Sequence, residues 1–98
     1  MQVSFRATVW PYDGPAAWYF VSLPPEVADE IADRFADRSA AFGSVRVQAT
    51  IGGTTWATSL FPDKRSGTYL LPVKKAVRTA EGLLEGTPVT VHLVVGAG

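Results

Sequence analysis

Nucleophilic, acid–base and metal chemistry each need particular side chains, and this chain supplies few of them. It has no cysteine and one histidine, which removes thiol catalysis, disulfides, cysteine-bound zinc and any multi-histidine metal site within the chain. His92 lies in an alternating stretch on the face opposite Val89, Val91 and Leu93, where it reads as a surface or helix-covered residue and not as a general base. Asp29 and Asp33 recur at helical spacing on an amphipathic segment, so they read as a solvated face and not as an acid–base pair. Neither a serine, histidine and aspartate constellation nor a nucleotide or metal motif can be placed. No catalytic residue, metal site or cofactor is therefore expected, and the chain is not expected to be an enzyme.

The side chains that remain are suited to binding. Residues 62–79 hold Lys64, Arg65, Lys74, Lys75 and Arg78 against Asp63 alone. If the loop folds beside the following helix, these cations form an anion, phosphate or nucleic-acid patch; otherwise they are a solvated basic surface. Trp10, Tyr12 and Trp18, with Tyr19, flank one loop and either line a small-molecule pocket, stack on bases, or simply pack on the fold.

Nine basic and nine acidic residues cancel, so no global field draws the chain to nucleic acid or anionic membrane. No stretch approaches the roughly 20 apolar residues of a membrane helix, and Met1 to Arg6 lacks the pattern of a signal peptide. A cytoplasmic protein with no membrane association is expected. The 98 residues suit one domain, and a chain of this size buries roughly 65% of its unfolded surface, enough for a core without a staple.

The elements that must position these side chains follow from periodicity. Val3, Phe5, Ala7 and Val9 alternate with polar residues as a strand with one buried face. Trp10 to Ala17, with two prolines and a glycine, reads as a loop, and Trp18 to Leu23 as a strand that needs cover on both faces. Leu23-Pro24-Pro25-Glu26 starts a helix whose stripe is Val27, Ile31 and Phe35 with Ala28 and Ala32 alongside; Glu26 and Arg38 suit its dipole. Ala41-Phe42-Gly43 turns into a strand from Ser44 to Ile51, Gly52-Gly53 makes a hairpin to Thr54–Phe61, and 62–67 form a polar loop. Thr68 to Leu71 is a strand, and Pro72 suits the start of a second helix with Val73, Ala76, Val77 and Ala80 buried opposite Lys74, Lys75 and Arg78. Gly82 and Gly86 turn the chain into a last strand, where Val89, Val91, Leu93 and Val95 share one face.

Each half of the chain reads strand, loop, strand, Leu-Pro, helix, glycine, strand, giving pseudo-repeats over 3–51 and 54–95 within a single domain, 1–98. Three strands and one helix cannot seal their own apolar face, whereas two such units can close a barrel and remove exposed edges. The expected fold is mainly β: a closed six-stranded pseudo-twofold barrel capped by two helices.

Leu71-Pro72 through Val91, a Leu-Pro, a basic helix with Val77-Arg78, then glycines and an alternating strand, resembles the AbrB-type and MazE antitoxin DNA-binding domains. Arg78 falls on the matching arginine, while Thr87 stands where an Asp and Glu81 where an apolar residue is usual. Those domains build one barrel from two chains, so the resemblance implies a barrel and a nucleic-acid-binding regulator. Over nearly the whole chain, Phe5-Arg6-Ala7, Trp18 to Val21, Leu23 to Glu26, Val47 to Gly53 and Leu71 to Arg78 resemble a prokaryotic family of unknown function. Its domain often lies beside bacteriocin-protection (YdeI or OmpD-associated) domains, and the resemblance implies a small barrel related to the double-split type. A non-catalytic binding or interaction module, with a small ligand or protein partner, is the favoured expectation, and a nucleic-acid-binding regulator the alternative.

Overall fold

The computed structural model describes residues 1–14, 18–35 and 43–96; residues 15–17, 36–42 and 97–98 lie outside these, and with them the expected roles of Arg38 and of Ala41-Phe42. Eight elements follow in chain order: β1 (Gln2–Pro11), β2 (Tyr19–Ser22), α1 (Pro25–Phe35), β3 (Val45–Ile51), β4 (Thr54–Asp63), β5 (Thr68–Pro72), α2 (Lys75–Glu81) and β6 (Pro88–Val95). The six strands close a barrel in the order β1-β2-β5-β4-β3-β6, with every neighbour antiparallel. The architecture is thus mainly β, a closed six-stranded barrel with two helices, as the alternation implies. Among the described residues no helix is long and apolar enough to cross a membrane.

Alternation sets which face is inside. Phe5 and Val9 of β1, Val45, Val47, Ala49 and Ile51 of β3, Trp56 and Leu60 of β4, and Val89, Val91, Leu93 and Val95 of β6 all join one buried cluster. Leu23, Ala28 and Ile31 close it beside α1, and Val73, Val77 and Leu83 beside α2. On β2, Val21 faces this core, while Phe20 faces outward and is covered by the rings of Trp10, Tyr12 and Trp18. Aromatic neighbours, not a helix, supply the second cover that β2 requires.

The strand partners interchange between the halves. Pro11 pairs with Tyr19 and Trp10 with Phe20, as Pro62 pairs with Tyr69 and Phe61 with Leu70. Phe20 opposite Pro72 has its counterpart in Leu70 opposite Ser22, and between these two pairs Val21 faces Leu71. The junctions match too: Leu23 N donates to Tyr69 O at 3.0 Å and Val73 N to Tyr19 O at 2.9 Å, so Leu23-Pro24 corresponds to Val73-Lys74 and not, as the shared Leu-Pro suggests, to Leu71-Pro72. Val27 and Ala28 donate to the Pro24 carbonyl, Val77 and Arg78 to the Lys74 carbonyl.

Several local expectations shift. Pro72 ends β5, and α2 begins three residues later at Lys75 after an extended Lys74, because the Val73 amide is engaged by Tyr19 on the neighbouring strand β2. Pro11 and Pro62 are strand residues and not loop residues. Ala76 and Ala80 are exposed, since a seven-residue helix rests on the barrel mainly through Val77; Ala32 is exposed likewise, the buried line of α1 running through Ala28 and Ile31. Gly82 takes the left-handed conformation at the end of α2 (φ 65°), where its amide reaches the Arg78 carbonyl.

Candidate functional site

A cleft of about 350 Å³ opens where β2, β4 and the start of α2 meet, lined by Trp18, Tyr19, Trp56, Thr58, Val73, Lys74, Lys75 and Arg78 among others. Each wall comes from a different element. Trp56 points inward from β4 and is 7% exposed, so it offers the cleft only an edge of its ring. Trp18 precedes β2 and is 55% exposed, with one indole face stacked on Phe20 at a centroid separation of 6.1 Å. Lys74 and Lys75 are exposed on the helix start.

Arg78 is held in place twice. Its Nε donates to the Val73 carbonyl at 3.1 Å, and its guanidinium carbon lies 4.1 Å from the centroid of the Tyr19 ring. A guanidinium over an aromatic face is attracted by the ring quadrupole and loses little further freedom when it binds an anion. Its terminal nitrogens retain their donors, and among the described residues no carboxylate pairs with Arg78, Lys74 or Lys75; the ion pair seen is Arg34 with Glu30 at 3.5 Å on α1.

The expected patch and pocket are therefore regrouped. Lys74, Lys75 and Arg78 share the cleft with Trp18, but Lys64 and Arg65 do not. Lys64 lines a depression against Ala28, Asp29 and Ala32 of α1, and Arg65 lines another with Trp10, Tyr12, Asp13 and Asp63. The reason is β5: five extended residues carry the chain about 16 Å along the barrel wall, which separates the loop before it from the helix after it. Trp10 and Tyr12 do not line this cleft and pack instead on Phe20, with ring centroids 5.5 and 5.7 Å from it. Trp10 also donates from Nε1 to Ser22 Oγ at 2.9 Å.

Sequence reasoning missed Trp56 as a cleft residue because alternation along β4 places it in the core, which it also serves. It placed Tyr19 with the rings of the first loop but not beneath Arg78, because that cation comes from the other half of the chain. His92 lies outside the cleft, on the outer wall, where Nδ1 is 2.6 Å from Ser4 Oγ. Asp63 heads the β4–β5 loop: the Ser66 hydroxyl at 2.6 Å, with the Arg65 amide, holds its carboxyl below the ordinary value of 3.8. Among the described residues no three histidine, aspartate or glutamate side chains converge as metal ligands.

Fold and site together define a small closed barrel with a cleft that is walled by rings and rimmed by cations. Residues 5–93 match the family described as a domain of unknown function (DUF1905), and the chain belongs to that family. No curated protein matches it significantly.

Proposed function

We propose that this domain is a non-catalytic binding module of the cytoplasm whose ligand sits in the cleft between β2, β4 and α2. The observation that carries the reading is the convergence of Trp18, Tyr19 and Trp56 with Lys74, Lys75 and Arg78 around about 350 Å³ of open space. That volume falls in the range of small-ligand sites, which combine apolar walls with a few placed polar groups. None of the residues lining the cleft is a carboxylate, histidine or cysteine, and the reading gives its Lys74, Lys75, Tyr19 and Thr58, which elsewhere can move protons or attack, a binding role.

The matched strand partners support a further part of the reading: the two halves are copies of one unit, and the barrel is a single-chain relative of the double-split barrels that AbrB and MazE domains form from two chains. That kinship, with an exposed tryptophan beside three cations, favours nucleic-acid binding as the second reading.

A ligand-observed NMR screen of small ring compounds and acids, run beside duplex-DNA retention at low salt, separates the two. The expected result is a set of ligands whose signals are lost with Trp18→Ala and Lys75→Glu while both variants remain folded, and no retained DNA. Ligands indifferent to both substitutions overturn the cleft as the seat. DNA retained with an affinity that falls steeply with salt and on charge reversal at Lys74 and Arg78 establishes the regulator instead.

A further inference from the structure

We infer that the ligand of this cleft is a flat ring system carrying one anionic group, a phosphate or a carboxylate, with the ring against Trp18 and the anion taken by Arg78, Lys74 and Lys75. The inference rests on the cleft being the ligand seat and goes on to name what the seat takes.

Three observations lead to it. The first is what Arg78 has to spare. The carbonyl of Leu23 accepts from the Thr68 hydroxyl at 2.8 Å, whereas its counterpart, the carbonyl of Val73, accepts from Arg78 Nε. Trp18 stands at the position matching Thr68 and has no hydroxyl, so Arg78 serves the carbonyl through one N–H and brings a guanidinium whose other donors the carbonyl does not use.

The second is the direction of its free donors. With Nε committed and the Tyr19 ring beneath, the remaining N–H groups form a fixed fork, the arrangement that binds a carboxylate or phosphate through two parallel hydrogen bonds. Lys74 and Lys75 line the same cleft without a carboxylate partner among the described residues, so the anion has no internal competitor.

The third is Trp18. One face of its indole is stacked on Phe20, and more than half of the residue is exposed along the cleft. A planar ring covers such a surface with no loss of hydrogen bonding. A bare anion leaves Trp18 wet, and a neutral ring leaves three cations unmatched; only a molecule with both parts meets both walls.

The test uses four probes: 1-naphthyl phosphate, 1-naphthoate, 1-naphthol and inorganic phosphate, each titrated into the whole protein and followed by two-dimensional NMR. The two ring-anions are expected to saturate with shifts at the Trp18 and Trp56 indole N–H and at the Lys74 and Lys75 amides, and their relative affinities tell phosphate from carboxylate. Each half-probe is expected to bind at least roughly tenfold more weakly. Arg78→Gln is expected to weaken the ring-anions by roughly tenfold or more while leaving 1-naphthol unchanged. Lys75→Gln, on an exposed side chain, repeats the test without risk to folding, and Trp18→Ala removes the ring's share. Equal binding of 1-naphthol overturns the anion requirement, and equal binding of inorganic phosphate overturns the ring; either leaves the cleft standing as a ligand seat. If none of the four moves the two indole signals, the ligand class named here is wrong, whereas the seat itself falls only with the cleft-independent ligands described above.

Discussion

At the α2 junction the Val73 amide donates to Tyr19 and the Val73 carbonyl takes Arg78; at the α1 junction the Leu23 amide donates to Tyr69 and the Leu23 carbonyl takes Thr68. The backbone scheme is shared, and the side chains around it are not. Tyr19 lies under a guanidinium in a cleft lined by Trp18, Trp56, Lys74 and Lys75, while Tyr69 lines a depression with Ala28, Asp29, Ala32 and Asp63. One junction has mostly small neighbours of mixed charge, Lys64 beside Asp29 and Asp63, and the other aromatic and basic ones. Where equivalent backbone tolerates both, the backbone sets the barrel and the side chains that differ are free to serve a ligand.

The largest test of that contrast compares Ile31 with Glu81, which stand equally far along their helices from Pro24 and Lys74. Ile31 is fully buried in the core cluster, and Ile31→Ala is expected to cost about 2–5 kcal/mol, through lost transfer energy and the cavity left behind. Glu81 is half-buried and accepts a hydrogen bond from Thr54 Oγ1 at 2.6 Å, so Glu81→Ala is expected to cost about 1 kcal/mol. Urea unfolding midpoints at unchanged slope measure both. Equal costs would mean that α2 is anchored as α1 is, and the division into a structural and a functional junction would fail.

Much of this division was legible in the residue order, and the part that was not has a physical cause. Inward rows such as Val45, Val47, Ala49 and Ile51 follow from a period of two, which any half-buried strand obeys. The hairpin at Gly52-Gly53 follows from a turn that demands positive φ, and Gly52 has φ 58°. Composition also showed which residues were able to bind, Lys74, Lys75, Arg78 and Trp18 among them. It did not show which of them meet, because that depends on how far β5 carries the chain and on pairings between strands distant in sequence. Lys64 and Arg65 are near α2 along the chain and lie apart from its cleft in the fold. Trp56 is distant along the chain and forms a wall.

A middle-sized effect sharpens the contrast at the end of α2. A methyl group placed on Gly52 meets the Glu81 carboxylate, and the left-handed backbone there adds its own strain, so Gly52→Ala is expected to cost about 1–2 kcal/mol. In a Glu81→Ala background the steric part disappears, and the double-mutant cycle should return a coupling of about 0.5–1 kcal/mol. Strict additivity would show that Glu81 does not hold α2 to the β3–β4 hairpin and that only Val77 and Leu83 do.

The smallest effect concerns the two loops that lead into these junctions. The β1–β2 loop is tied by Tyr12 N to Trp18 O at 2.8 Å and by stacked rings, whereas the β4–β5 loop is tied by Gly67 N to Asp63 O at 2.8 Å and by Ser66 and Arg65 on the Asp63 carboxylate. Because those hydrogen bonds, Ser66 first, lower the folded pKa of Asp63 below 3.8, its contribution is fully present above that value and is lost as pH falls through the folded pKa. The carboxylate is almost wholly solvated, so the change in melting temperature should be slight. It is read as the difference between the wild-type acid limb and that of Asp63→Asn, which removes the contribution of every other carboxylate common to both. Amide signals of Arg65 and Ser66 should move on acidification while the Trp18 indole signal stays still. An unchanged acid limb in Asp63→Asn would place the hold on the β4–β5 loop in its backbone alone, and the two loops would then differ only in their rings.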